Sequence, residues 1–294
     1  MSLVPTPDGR MVTVREGGDP AGLPVLAFAG TPGSSVFYGP HVRDAAERGI
    51  RLVAYARPGY EGSSRNEGRA VADCAADVVA VCDALGIERC CVWGGSGGGP
   101  HALAAAALLP GRVAAAASIA SVAPFDADGL DWFDGMGADN VDDFEVARAG
   151  GAAHRANLEQ RREQLLATTP DDVTHVWESL LGPADRAVAT GALAAALLEH
   201  VRAGIEGGVD GWVDDEQAFV AAWAFDLASI RVPILLWHGD QDRFVPPSHG
   251  AWLAERIPGV EARFTAEDGH LTLTERIPEV HAWLLQRARL NGDA

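Results

Sequence analysis

No lysine occurs among the 294 residues; all 23 basic side chains are arginine. That absence excludes Schiff-base chemistry, a serine–lysine dyad, the lysine of a phosphate-binding loop and the strand lysine of a kinase. Positive charge is scarce overall, since 41 acidic residues face those 23 arginines and give a formal net charge of −18. Phosphate backbones and anionic lipid headgroups repel so acidic a chain, so neither nucleic acid nor a membrane is an expected partner. Cysteine is sparse too. Cys74 and Cys82 share a helical pattern, and Cys90 and Cys91 adjoin in a strand-like run, without the C-x-x-C spacing of a metal or redox site. They read as reduced core thiols in a chain too long to need a disulfide framework. The longest apolar stretch, Val113 to Phe125, is too short and too alanine-rich to span a bilayer. Met1 to Gly9 lacks a basic stretch followed by an apolar one, so a cytoplasmic protein is the expectation.

What is present is a strong alternation. A chain of this length forms one large α/β domain or two small ones, and buries roughly 75% of its unfolded surface. Asp8-Gly9 is a hairpin signal between Leu3-Val4 and the run Met11 to Val14. Buried strands are predicted at Pro24 to Ala29, Arg51 to Ala56, Cys90 to Trp93 and Val113 to Ala120. Helices with one apolar face are predicted near 37–48, 70–85 and 100–109. Such alternation argues for a parallel sheet covered by helices on both faces.

The rhythm breaks after Pro124. Residues 126–226 read as helical throughout, and alternation resumes with a strand at Val232 to Trp237, a helix near 248–256, a strand near 260–265 and a helix from about 274. The simplest account is an insertion, 126–226, in a core made of 1–125 and 227–294. The insertion holds 21 Asp or Glu against 6 Arg, a net of −15, and the rest of the chain nets −3. A solvated helical surface explains that charge; the sharper alternative is that it tilts the site toward neutral or cationic ligands. Trp132, Phe133, Phe144, Trp177, Trp212, Phe219, Trp223 and Phe225 concentrate there, most to build the insertion's own core and some to line a pocket. An apolar helix such as Leu193 to Val201 is a candidate interface for a homo-oligomer.

The strongest motif is Trp93-Gly94-Gly95-Ser96-Gly97-Gly98-Gly99-Pro100, which contains G-x-S-x-G between a strand and a helix. Pro100 falls in the first helical turn, where its missing N–H costs nothing. So tight a turn strains the serine backbone and exposes its hydroxyl at a helix N-terminus, where developing negative charge is favoured. The overlapping Gly97-x-Gly99-x-x-Ala102 matches a dinucleotide fingerprint poorly, because no acidic residue ends a strand about twenty residues on. A nucleophilic serine needs a base, and the base an orienting acid. Two downstream segments offer them just past predicted strand ends: His238-Gly239-Asp240-Gln241-Asp242, with two carboxylates, and Glu267-Asp268-Gly269-His270. Singly, Asp242 could be a turn residue and His270 a surface one; the order Ser, Asp, His favours both. His238 beside Asp240 fits a strand-end histidine better than a metal ligand. His101 either faces the site or packs beneath the serine turn, and the remaining histidines are scattered.

Outside residues 126–226 the chain resembles the α/β-hydrolase superfamily. Gly30-Thr31-Pro32-Gly33-Ser34 resembles its oxyanion loop, and Arg57-Pro58-Gly59-Tyr60-Glu61-Gly62-Ser63 the stretch after its fourth strand. The serine turn, Gly239-Asp240-Gln241-Asp242 and Gly269-His270 complete the set. The resemblance implies an α/β-hydrolase fold, a mostly parallel central sheet flanked by helices, with an all-helical cap inserted. It implies Ser96 as nucleophile, Asp242 as acid, His270 as base and the Thr31 and Gly97 amides as oxyanion hole, with no metal or organic cofactor. Two departures are informative. Ala29 stands where many members carry histidine, and Thr31 breaks the Gly-Gly-Pro-Gly loop usual in proline iminopeptidases. Ser96 itself argues against dehalogenases and epoxide hydrolases, which use aspartate.

The leading expectation is a serine hydrolase of small or medium carboxylic esters, or lactones, acting on a neutral or cationic small molecule. An aminopeptidase of the proline-iminopeptidase kind ranks second, since an acidic cap would suit a free amine. Hydrolysis of a C–C bond and cofactor-free perhydrolysis would use the same triad. A ligand-binding or signalling protein on a hydrolase scaffold is the reading from another class, and the complete set of nucleophile, acid and base counts against it.

Overall fold

In the computed structural model, which describes residues 1–290, the strands join one eight-stranded sheet. The strands are β1 Ser2–Pro5, β2 Met11–Gly18, β3 Leu23–Phe28, β4 Ile50–Tyr55, β5 Cys90–Gly95, β6 Val113–Ile119, β7 Ile234–Gly239 and β8 Glu261–Thr265. Their order across the sheet is β1-β2-β4-β3-β5-β6-β7-β8. The hairpin pair β1–β2 and the pair β2–β4 are antiparallel, and every later pairing is parallel. Each strand lies within two residues of its expected place except β2. That strand continues through Arg15-Glu16-Gly17-Gly18, which has no apolar alternation but finds backbone partners along β4 from Tyr55 to Arg51.

Side chains leave the sheet alternately to its two faces, and each face carries its own core. On one, Leu26, Phe28, Val53, Val92 and Leu236 pack against α2 (Cys74–Ala84), α3 (Gly99–Leu108) and α10 (Pro247–Arg256) through residues such as Val78, Leu103 and Leu253. On the other, Val25, Leu52, Ala117 and Leu235 meet α1 (Gly39–Glu47) and α11 (Ile277–Leu290) through Ala45, Val280 and Leu284. All four cysteines are buried free thiols, as expected. No helix among the described residues is long and apolar enough to cross a membrane.

Between β6 and β7 the chain forms only helices: α4 Ala138–Ala149, α5 Gly151–Ala167, α6 Val173–Val176, α7 Pro183–Val188, α8 Gly191–Ile205 and α9 Asp210–Val220. Two findings correct the sequence reading of this insertion. Its acidity is not simply a solvated face, because Asp143, Asp185, Asp214, Asp215 and Glu216 are all buried. Two of them, Asp214 and Asp215, meet arginines of the core, Arg57, Arg65 and Arg69, while most of the insertion's other carboxylates lie on the solvated surface. The apolar stretch from Leu193 to Val201 is not a free face either. Leu193, Ala194 and Leu198 are buried within the chain, and Leu197 and Val201 line an internal cavity.

Candidate active site

Parallel strands deliver their C-terminal loops to one edge of the sheet, and four such loops converge there. The loop after β5 carries Ser96, which adopts φ +53°, a region that non-glycine residues rarely enter. A short 3₁₀ turn, Ser96–Gly98, then leads into α3 with Pro100 in its first turn, as the motif required. A Cβ on Gly98 would stand 2.2 Å from the Phe28 carbonyl oxygen, so only glycine lets the serine turn lie against the end of β3. Gly30, at that strand end, comes close enough that a Cβ there would lie 3.5 Å from the Ser96 Cβ.

The loops after β7 and β8 bring together Asp242 and His270. His270 Nδ1 lies 2.7 Å from Asp242 Oδ2, and the other carboxylate oxygen accepts the Val245 N–H at 2.9 Å. Burial pushes the Asp242 carboxyl up, but His270 and the hydrogen bonds from His238 and His270 outweigh it and hold it at about 2. Burial likewise depresses the His270 imidazole, and Asp242 more than restores it, so its pKa lies above the ordinary histidine value. Phe244 stacks on the imidazole with ring centres 4.7 Å apart, and Trp177 meets Phe244 edge-on. Ser96 and His270 line the same cavity, of about 350 Å³. No direct hydrogen bond joins the two side chains.

Thr31 and Gly97 also meet. A Cβ built on Gly97 would fall 2.4 Å from Thr31 Oγ1, so the Thr31 side chain occupies the space that glycine leaves. His101 packs beneath the serine turn rather than facing the site; its Nδ1 bonds the Gly97 carbonyl oxygen at 2.9 Å. Burial depresses its pKa to about 3, which keeps the ring neutral. His238 is the strand-end histidine expected: its Nε2 lies 2.8 Å from the Val245 carbonyl oxygen and 3.4 Å from Asp242.

The cavity that joins these groups has walls from both parts of the chain. Val36 and Phe244 come from the core, and Trp177, Leu197, Trp212 and Phe219 from the insertion. A sequence model of the alpha/beta hydrolase fold family matches residues 24–276. The chain belongs to the α/β-hydrolase family. A non-heme chloroperoxidase of Streptomyces lividans is 29% identical over 255 residues, 85% of this chain and 86% of that one. A protein of Azorhizobium caulinodans named as a carbamate hydrolase, RutD, is 30% identical over 253 residues, 84% and 83% of the two chains. The enol-lactonase from Burkholderia xenovorans LB400 shares the fold at TM-score 0.66 and 17% identity, with 98% of this chain and 100% of that chain covered. This α/β-hydrolase is therefore an enzyme of the hydrolase kind.

Three features of this α/β-hydrolase escaped the sequence reading. The first is a buried charge network under the oxyanion-type loop. Asp215, on α9, accepts from Arg57 at 2.5 Å, Arg69 at 2.6 Å, Thr31 Oγ1 at 2.7 Å and Tyr60 at 3.0 Å. Arg57 in turn donates to the carbonyl oxygens of Ala29 and Gly30 and to Thr31 Oγ1. The second is Phe244, whose stacking on His270 nothing in its sequence neighbourhood announces. The third is Asp185, which binds the His270 loop from α7. The contact between Gly97 and Thr31 carries a prediction. In Gly97→Ala the new methyl displaces the Thr31 loop; if the two amides hold an oxyanion, as the resemblance implies, kcat on a test ester should fall about 10²–10³-fold, the loss typical of a mispositioned donor. Steady-state kinetics on folded protein measures it, and a loss below threefold would mean that the two residues need not touch.

Proposed function

We propose that this α/β-hydrolase is a serine hydrolase of small or medium carboxylic esters or lactones, working through an acyl-enzyme. The observation that carries the reading is the Asp242–His270 pair at 2.7 Å, whose imidazole lines one cavity with the strained Ser96. In this reading His270 takes the Ser96 proton as the hydroxyl oxygen attacks the substrate carbonyl, and Asp242 stabilises the imidazolium. The backbone N–H groups of Thr31 and Gly97 meet the oxyanion, each worth about 3–4 kcal/mol in the transition state. The oxyanion collapses, the protonated His270 gives its proton to the leaving alcohol, and water then releases the acid by the same steps in reverse order. Residues 126–226 act as the cap that shapes the acyl and alcohol pockets. The enol-lactonase with the same fold and the hydrolase-named relative are in keeping with carbonyl chemistry of this kind.

A neutral substrate suits the cavity best. Three carboxylates border it, Asp139, Asp143 and Glu216, but protein donors already occupy most of their oxygens. Glu216 accepts from Trp212 and lies 2.7 Å from His154 Nε2; Asp139 pairs with Arg161 and Ser179. Asp143 gives one oxygen to Asn157 and Arg161. A free α-amine would thus find one open carboxylate oxygen, where an aminopeptidase needs a dedicated anionic clamp. The aminopeptidase reading therefore ranks second.

Two experiments test the proposal. A fluorophosphonate should label the enzyme stoichiometrically on Ser96, located by mass spectrometry, and leave Ser96→Ala unlabelled. Against matched p-nitrophenyl esters and aminoacyl p-nitroanilides, kcat/KM should favour the esters at least about 100-fold, a gap of roughly 2.7 kcal/mol in barrier. Preferential cleavage of the anilides would move the aminopeptidase to the front, and folded protein that takes no label would overturn both.

A further inference from the structure

We infer that Asp185, contributed by the helical insertion, is a positioning residue for His270: it fixes the loop that carries the base and sets a second carboxylate facing the imidazolium. The inference rests on His270 being the general base proposed above. Asp185 is fully buried on α7, far in sequence from any strand end. Its Oδ2 accepts the His270 N–H at 2.8 Å, and its Oδ1 accepts the N–H groups of Leu271 at 2.7 Å and Thr272 at 3.2 Å. The fit is close, for a Cβ on Gly269 would stand 2.5 Å from the Asp185 carboxylate. Three backbone donors on one carboxylate pin three consecutive residues, as an N-cap does, and favour its charged form.

Among the described residues Asp185 has no ion pair with an arginine. The residue it holds through the backbone N–H at 2.8 Å, His270, is also the one whose side chain can become positive. The groups around that imidazole are few: Asp242 from the loop after β7, with His238 behind it; Asp185 from α7; and Asp268 on the same loop, which Arg276 neutralises at 3.0 Å. Burial raises the Asp185 carboxyl above its ordinary value, while the field of His270 opposes that rise. By reciprocity Asp185 supports the imidazolium, and with Asp242 it keeps the His270 pKa above that of free histidine. A carboxylate that only capped the loop could be replaced by any acceptor without altering the titration of the base.

The base must be neutral in the free enzyme, so kcat/KM for p-nitrophenyl acetate rises with pH through the His270 pKa. Removing a nearby negative charge destabilises the imidazolium, and His270 then loses its proton at lower pH. In Asp185→Asn the acid limb should therefore move down by about half a pH unit or more. At the plateau, kcat should fall about ten- to hundredfold as the loop loosens. Asp185→Ser, which keeps an acceptor without charge, should move the limb the same way. Leu158→Ala, a cavity in the cluster that packs the insertion against Ala56 and Tyr60, should lower stability and leave the limb in place. An unmoved limb in folded Asp185→Asn or Asp185→Ser overturns the inference. So does a wild-type His270 whose NMR titration falls at or below that of free histidine. Asp242→Asn separates the two levels: if it changes neither rate nor limb, the general-base reading itself fails.

Discussion

Ser96→Ala is expected to lower kcat on an ester by on the order of 10⁴–10⁶-fold and to change KM little. The backbone at Ser96 sits at φ +53°, and alanine has no better access to that region than serine, so the turn keeps its shape and its strain. The Thr31–Gly97 contact and the cavity walls are untouched. What disappears is one oxygen, the atom that the proposed mechanism joins to the acyl group. Residual turnover over the uncatalysed rate should come from the remaining amide donors and from binding. Because nucleophile and base act as one unit, adding His270→Ala to Ser96→Ala should cost little more. Single-turnover kinetics with thermal melting as the fold control measures both points. Activity within tenfold of wild type would mean that the attacking group is elsewhere.

The largest expected effect on stability belongs to Asp215→Ala, a loss of about 3–5 kcal/mol. The carboxylate is fully buried, and Arg57 and Arg69 beside it are buried as well. Burial alone would drive its carboxyl upward; the two guanidinium groups reverse that and hold it well below the usual range. With Asp215 removed, Arg57 keeps its carbonyl partners but loses its counter-charge, and Tyr60 and Thr31 each lose an acceptor. Urea unfolding reads the loss as a lower midpoint at unchanged slope. Arg57→Met added to Asp215→Ala should return part of it, because one of the two guanidinium groups facing the site is then gone and the other, Arg69, keeps Asp214 at 3.4 Å. A loss under about 1 kcal/mol would place the network with exposed ion pairs, which contribute little.

The residues legible in the sequence are those whose chemistry depends on local context. Ser96 is readable because a strand, a run of glycines and a helix-starting proline surround it. Asp242 and His270 are readable because each follows a strand end in the order that a triad with Ser96 requires. Thr31 was reached through resemblance, and the close approach of Gly97 to it is a matter of ångströms that no pattern encodes. Asp185 and Asp215 look in sequence like any acidic residue on a polar helix. What distinguishes them is the partner, and the partners lie 85 and 158 residues away for His270 and Arg57. The aromatics divided for the same reason. Phe144, Trp177, Trp212 and Phe219 reach the cavity while Trp132 and Phe133 pack against Phe125, and helical spacing alone cannot separate the groups.

The two buried aspartates set the terms on which this part of the chain can be exchanged. Consider a transplanted helical segment that carries no carboxylate at the places of Asp185 and Asp215. It would leave Arg57 and Arg69 without counter-charge and the backbone amides of residues 270–272 without acceptors. The unit of recombination is therefore larger than the loop between β6 and β7. It comprises that loop together with Thr31, Arg57, Tyr60, Arg69 and the His270 turn, so a chimaera with its crossovers at Pro124 and Phe225 alone would keep these arginines and amides satisfied only if the incoming segment supplies their carboxylates.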